Sequence, residues 1–189
     1  MIKDYLKELN VVASKIDEKK IMKITNLIEK TILKKKTIFI CGNGGSSAIA
    51  SHALCDWIKR LNHLVNCKIY DLTSNKTLIS AISNDLNHDE IFSFQLKNFA
   101  VNGDICIFIS SSGNSKNIIK GIKFTKKNGI KSILIVGFDG GKSKKFSDYS
   151  IHIKTNKYEH HEDLSQIIMH YIYISLKKSL ERNKSNCPN

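Results

Sequence analysis

Five short apolar runs, separated by segments of helix length, constrain this chain more than any other feature. The runs are Thr37 to Cys41, Cys67 to Leu72, Asp104 to Ile109, Ser132 to Gly137 and Tyr149 to Ile153. A strand with one wet face alternates apolar and polar residues, whereas these are mostly apolar at successive positions and read as strands buried on both faces. Between them lie segments with helical periodicity: Ser46 to Arg60, Lys76 to Phe99 with a break around Asn84 to His88, Ser115 to Asn128, a short piece after Gly141, and Glu159 to Ser179. Strands alternating with helices predict a three-layer α/β sandwich around a five-stranded parallel sheet, of flavodoxin-like type. Ahead of it, Tyr5 to Leu33 carries apolar residues at three and four spacing, interrupted near Asp17 to Lys20. That pattern reads as two amphipathic helices that need a partner surface.

No linker rich in Pro, Gly or Ser and no repeat divides the chain, so a single domain is expected over residues 1–189. Within it, residues 1–35 form a helical pair used in packing or oligomerisation, 36–180 form the α/β core, and 181–189 form a frayed tail. A hydrophobic content of 41% excludes a disordered class. No stretch approaches the roughly 18 apolar residues of a membrane span, and the first residues hold no apolar signal core. A soluble, cytoplasmic protein is expected. The five cysteines include no CxxC pair and mostly sit in apolar runs, so reduced thiols are expected, with Cys41 a buried structural residue rather than a nucleophile.

The formal charge of +13 raises the question of a polyanionic partner. Nearly all of that charge is lysine, dispersed along the chain, with arginine only at Arg60 and Arg182. Nucleic-acid recognition favours the planar arginine fork, so the lysines read as a solvated surface and a small anion remains the better-matched partner.

Two loops match such an anion. Cys41, Gly42, Asn43, Gly44, Gly45, Ser46 and Ser47 join the first strand to a helix, and Ile109, Ser110, Ser111, Ser112, Gly113, Asn114 and Ser115 do the same after the third strand. Glycines permit close approach of a ligand, and helix starts present unpaired N–H groups to a phosphate. A serine N-cap accounts for Ser115 or Ser112 but not for four serines together. The first loop departs from a dinucleotide fingerprint, since Ser47 takes the third glycine's place and Asp71 comes too late. The spacing of Gly137, Gly141, Lys142 and Ser143 is one residue short of a P-loop.

With these motifs, the sequence resembles the sugar isomerase (SIS) domain proteins and, within them, the phosphoheptose isomerases. The likeness runs through the N-terminal helices, the Gly42–Ser46 loop, the helix with His52, the Asn84–Asp85 pair and the Ser110–Ser115 loop. It continues through the Asp139–Gly141 turn and the last helix with His170. The resemblance implies conversion of sedoheptulose 7-phosphate to D-glycero-D-manno-heptose 7-phosphate through an enediol, for a lipopolysaccharide, capsule or other glycan. It also implies a homotetramer with active sites between subunits. By the same resemblance, Ser46, Ser110, Ser111, Ser112 and Ser115 bind phosphate, while Asn43, Gly44, Asp85, Glu159, Glu162 and Arg60 contact the sugar. His52, Asp56, Glu162 and His170 hold zinc; Asp56 is the base toward carbon and His170 the acid and base toward oxygen.

This chain departs from the usual pattern at three of these positions. Asp56 stands where glutamate is usual, Glu162 where many members have glutamine, and Glu159 where aspartate is frequent. The spacing itself is compatible with the chemistry, since His52 and Asp56 lie four apart on one helix face and Glu162 and His170 lie two turns apart on another. His160 and His161 read as exposed first-turn residues. Two other readings share the serine loops: a non-catalytic SIS protein that binds the replication initiator, which lacks the acid and the last histidine, and a module that senses a sugar phosphate without turning it over.

Overall fold

Successive side chains of a strand point to opposite faces, and in this protein each face meets its own apolar layer. The computed structural model describes residues 1–185. Strands β1 (Thr37–Gly42), β2 (Lys68–Asp71), β3 (Ile105–Ser110), β4 (Lys131–Val136) and β5 (Tyr149–His152) form one parallel sheet in the order β2-β1-β3-β4-β5. Ile38, Ile40, Ile107 and Ile135 project to one side, toward α2 (Glu18–Leu33), α3 (Gly45–Leu61) and α7 (Tyr158–Ser185). Phe39, Cys41, Phe108 and Leu134 project to the other, toward α4 (Lys76–Asp85), α5 (Ile91–Phe99) and α6 (Lys116–Lys127). Trp57 on α3 is 1% exposed, and truncating a side chain of this kind to alanine costs about 3–5 kcal/mol.

Helix α1 (Ile2–Ala13) buries none of its residues fully and rests along α7, while Asp17 caps α2 by accepting from the Lys20 N–H at 3.2 Å. The break expected around Asn84 to His88 is present: α4 ends at Asp85 and a 3-10 turn, His88–Glu90, leads into α5. The last helix does not stop at Ser179, and the tail is not frayed through 181–185. Leu176 and Leu180 are buried, and the Asn183 amide and the Ser179 hydroxyl both donate to Glu29 on α2, which carries α7 on to Ser185. The remainder of the expected tail, with Cys187, lies outside the described residues. No helix among the described residues is long and apolar enough to cross a membrane.

The strand order positions the site. The chain leaves β1 toward β2 and then returns to β1's other side as β3, so the loops after β1 and β3 diverge. A crevice opens beyond the carboxyl ends of the strands at such a reversal.

Candidate active site

Both glycine- and serine-rich loops fall at that reversal. They line a cleft of about 260 Å³ with Asn43, Gly44, Gly45, Ser46, Ser110, Ser111, Ser112 and Ser115, joined by Tyr158 and Glu162 from the start of α7. Two helices that begin away from the cleft are capped by side chains: Asp17 caps α2, and the Asn75 side chain accepts from the Leu78 N–H of α4 at 2.9 Å. The helices that follow the two loops, α3 and α6, are not. Gly44 and Ser115, the N-cap residues of α3 and α6, make no side-chain capping bond. The first-turn N–H groups that the protein's own oxygens do not take are suited to an anionic ligand, which the helix dipole also favours.

The second loop is held from behind. Gly137 N–H donates to the Ser111 carbonyl at 3.0 Å, Ser143 N–H to the Gly113 carbonyl at 2.9 Å and Lys142 N–H to Asn114 Oδ1 at 3.0 Å. Ser111 Oγ lies 2.8 Å from His161 Nδ1, so its hydroxyl is engaged with the protein, whereas Ser112 and Ser115 edge the cleft. His160 and His161 are not exposed, contrary to their reading from the sequence. His160 is 2% exposed, against the Tyr5 ring of α1, and His161 is fully buried under the serine loop. Adjacent on α7, they point to different sides because the helix lies between the sheet and α1.

Burial pushes the His161 imidazole down from 6.5 to about 4, and it stays neutral at ordinary pH. The unfolded chain takes up this proton first as pH falls. The stability associated with His161 is therefore complete above about pH 6.5 and is lost toward pH 4, by up to about 3 kcal/mol. Urea unfolding of the wild type and of His161→Gln at about pH 7 and about pH 4 should show the steeper loss in the wild type.

Helices α3 and α7 run side by side from the cleft. At its edge the Glu162 carboxylate sits over Gly45, where a Cβ would collide with it. Seven residues further along α3 and eight along α7, His52 Nε2 and His170 Nε2 approach to 3.1 Å, and each lies 3.3 Å from Asp56 Oδ2. Asp56 Oδ1 accepts from Arg60 Nε at 3.2 Å, and this pairing raises the Arg60 pKa. At a rise of 1.5 Å per residue the cluster stands roughly 10 Å along the helices from the serine loops.

Two ring nitrogens and a carboxylate oxygen at these mutual distances form a donor set for one cation. Zinc bonds of about 2.0–2.1 Å in tetrahedral array hold their ligands about 3.3 Å apart, so the set fits that ion. Glu162, expected as a fourth ligand, is not part of this cluster, because its side chain turns to Gly45. Gln166, one turn nearer His170, places its amide 3.0 Å from His170 Nε2 instead. Asp85 and Glu159 do not line the cleft of a single chain; Asp85 accepts from Asn84 Nδ2 at 2.9 Å, and Glu159 is exposed in the first turn of α7.

A serine-lined cleft joined by two adjacent helices to an acid and two imidazoles is the architecture of a sugar-phosphate isomerase. The family model of the SIS domain matches residues 4–137. The phosphoheptose isomerase of Sulfurimonas denitrificans is 36% identical over 147 residues, covering 77% of this chain and 75% of the relative. That of Aliarcobacter butzleri is 30% identical over 175 residues, covering 91% and 93%. The structure of phosphoheptose isomerase GmhA from Neisseria gonorrhoeae shares the fold, with a TM-score of 0.87 at 24% identity over 94% of this chain and 97% of that one. The chain belongs to the phosphoheptose isomerase family of SIS domain proteins, and it is an enzyme that isomerises a sugar phosphate.

Proposed function

We propose that the protein converts sedoheptulose 7-phosphate to D-glycero-D-manno-heptose 7-phosphate, supplying a heptose for a lipopolysaccharide, capsule or other glycan. The observation that carries this reading is the connection of the two parts of the site: α3 and α7 both begin at the serine cleft and bring His52, Asp56 and His170 together two turns further on. A separation of roughly 10 Å asks for a long, open-chain substrate anchored by its phosphate.

Ser46, Ser110, Ser112 and Ser115, with the open helix starts, hold the ester. The reacting end is the ketose C1–C2 unit. Asp56 removes a proton from C1, leaving an enediol, and returns a proton to C2. His170 gives a proton to the C2 oxygen and takes one from the C1 oxygen, so the aldehyde forms without net change in protons. Arg60 holds the Asp56 carboxylate in place. A zinc ion held by His52, Asp56 and His170 would supply Lewis-acid polarisation of the sugar carbonyl, the part that the His170 proton plays when its Nε2 carries no metal. Retention of Asp56 and His170 favours this reading over initiator binding.

The neighbouring-copy part of the proposal is a homotetramer whose active sites are completed between subunits. It is supported by apolar side chains left exposed on the helical faces, Leu6, Val11, Met22, Ile167 and Ile174, and by Asp85 and Glu159 standing outside the single-chain cleft. Incubation of the purified protein with sedoheptulose 7-phosphate, followed by NMR, is expected to give a mixture of ketose and aldose. Retention of the ketose alone would refute the substrate assignment.

A further inference from the structure

Asn43 stands where β1 opens into the cleft, and a second amide grips it from behind. Asn43 Nδ2 donates to Asn117 Oδ1 at 3.0 Å, and Asn117 Nδ2 donates to Asn43 Oδ1 at 2.9 Å. The orientation of Asn117 is fixed independently. The backbone N–H of Ile118, which can only donate, points at Asn117 Oδ1 at 2.8 Å, so the oxygen faces it and Nδ2 carries both hydrogens away. One of these goes to Asn43. The other goes to His88 Nε2 at 3.2 Å, which makes that ring nitrogen an acceptor and leaves the imidazole proton on Nδ1, 3.4 Å from Ser83 Oγ on α4.

Counting hydrogens then decides what Asn43 offers. The reciprocal pair uses one N–H of each amide, and the remaining N–H of Asn117 is taken by His88. The remaining N–H of Asn43 has no partner among the described residues, and Asn43 lines the cleft. Asn117 is only 2% exposed, so it touches ligand nowhere and acts through its neighbour.

We propose that Asn117 is a positioning residue: it locks the Asn43 amide with an N–H donor, rather than its carbonyl oxygen, turned to the phosphate-bearing substrate. His88 holds Asn117 and thereby ties this donor to the Asn84–Asp85 end of α4, a sequence motif that does not itself line the single-chain cleft. Released from Asn117, the Asn43 amide is free to turn its carbonyl oxygen toward the anion, which repels it.

The inference rests on a phosphate ester occupying the cleft, so binding is measured apart from turnover. In Asn117→Ala, KM for sedoheptulose 7-phosphate is expected to rise about tenfold with kcat within about twofold, the pattern of lost uniform binding. The Kd of inorganic phosphate by calorimetry should rise in parallel. His88→Phe removes the acceptor without touching Asn117 and should weaken phosphate binding several-fold, while His88→Gln, whose amide oxygen can accept the same N–H, should restore it. Because the His88 variants leave the buried amide pair in place, they decide the matter if Asn117→Ala fails to fold. Unchanged phosphate affinity in folded Asn117→Ala, or equal affinities in His88→Phe and His88→Gln, would overturn the proposal. Altered phosphate affinity without turnover of any heptose phosphate would leave it standing and sink the proposed reaction instead.

Discussion

Asp56→Asn is expected to lower kcat/KM for the sugar phosphate by about 10²–10⁴-fold, the usual weight of a positioned acid or base. The substitution keeps the side chain's size, but the amide cannot take a proton from carbon, and the cluster loses its one negative charge. Asp56 is held by three partners, His52 and His170 at 3.3 Å through one oxygen and Arg60 at 3.2 Å through the other. Removing the charge therefore disturbs the acid, the imidazole and the metal affinity together. The same range is expected for His170→Asn, and the double variant should lose little more than either single one, because groups that act as a unit are not additive. Zinc affinity, measured by competition with a chromogenic chelator, should fall in Asp56→Asn, whereas the Kd of inorganic phosphate should stay within about twofold because the serine cleft lies roughly 10 Å away. Turnover within about tenfold of wild type would remove Asp56 from the assigned role.

Gly113→Ala is expected to have the second largest effect, on folding and binding at once. Gly113 has φ +64, and a Cβ there would collide with the Gly140 carbonyl oxygen; on the opposite turn Gly141 has φ +53 and packs equally close to the backbone of Ser112 and Gly113. Neither neighbour is a flexible side-chain tip, so the two turns must separate. Left-handed strain of about 1–2 kcal/mol and overpacking of about 1–3 kcal/mol add. For a chain of this size that corresponds to a Tm lowered by about 4–20 °C. Phosphate affinity should fall more than tenfold as Ser110, Ser112 and Ser115 lose their spacing. A variant with wild-type Tm and phosphate Kd would show that the dovetailed turns do not shape the cleft.

Much of this architecture is legible in the chain because isoleucine, phenylalanine and cysteine occupy both alternating faces of the strands, which only a covered parallel sheet explains. Strand ends shift by a residue where a polar group continues the ladder, as Ser110 does in β3 and Lys131 in β4. The serine loops are legible because glycine and serine concentrate where strands meet helices, and His52 with Asp56 because four-residue spacing fixes a shared helix face. What periodicity cannot supply is the docking of one helix on another. Glu162 and Gln166 lie one turn apart on α7, and only the seat of α7 against Gly45 and His52 turns the first toward the cleft and the second toward His170. The same limit hides His161, whose burial depends on the serine loop lying over it, and the link from His88 to Asn117 and Asn43, which joins three segments distant in sequence. A buried asparagine in the first turn of α6, beside a loop rich in serine, is the one local hint of that link.

Isomerisation by an enediol requires that carbon-bound hydrogen pass through a protein group able to trade with water. The decisive measurement is incorporation of deuterium from heavy water at C1 of sedoheptulose 7-phosphate and at C2 of the aldose product, followed by NMR in the wild type and in Asp56→Asn. Label entering at these carbons with the wild type, and lost with the variant, is the result this account predicts. Equal incorporation by both proteins, or none by a wild type that binds the sugar phosphate, would contradict it.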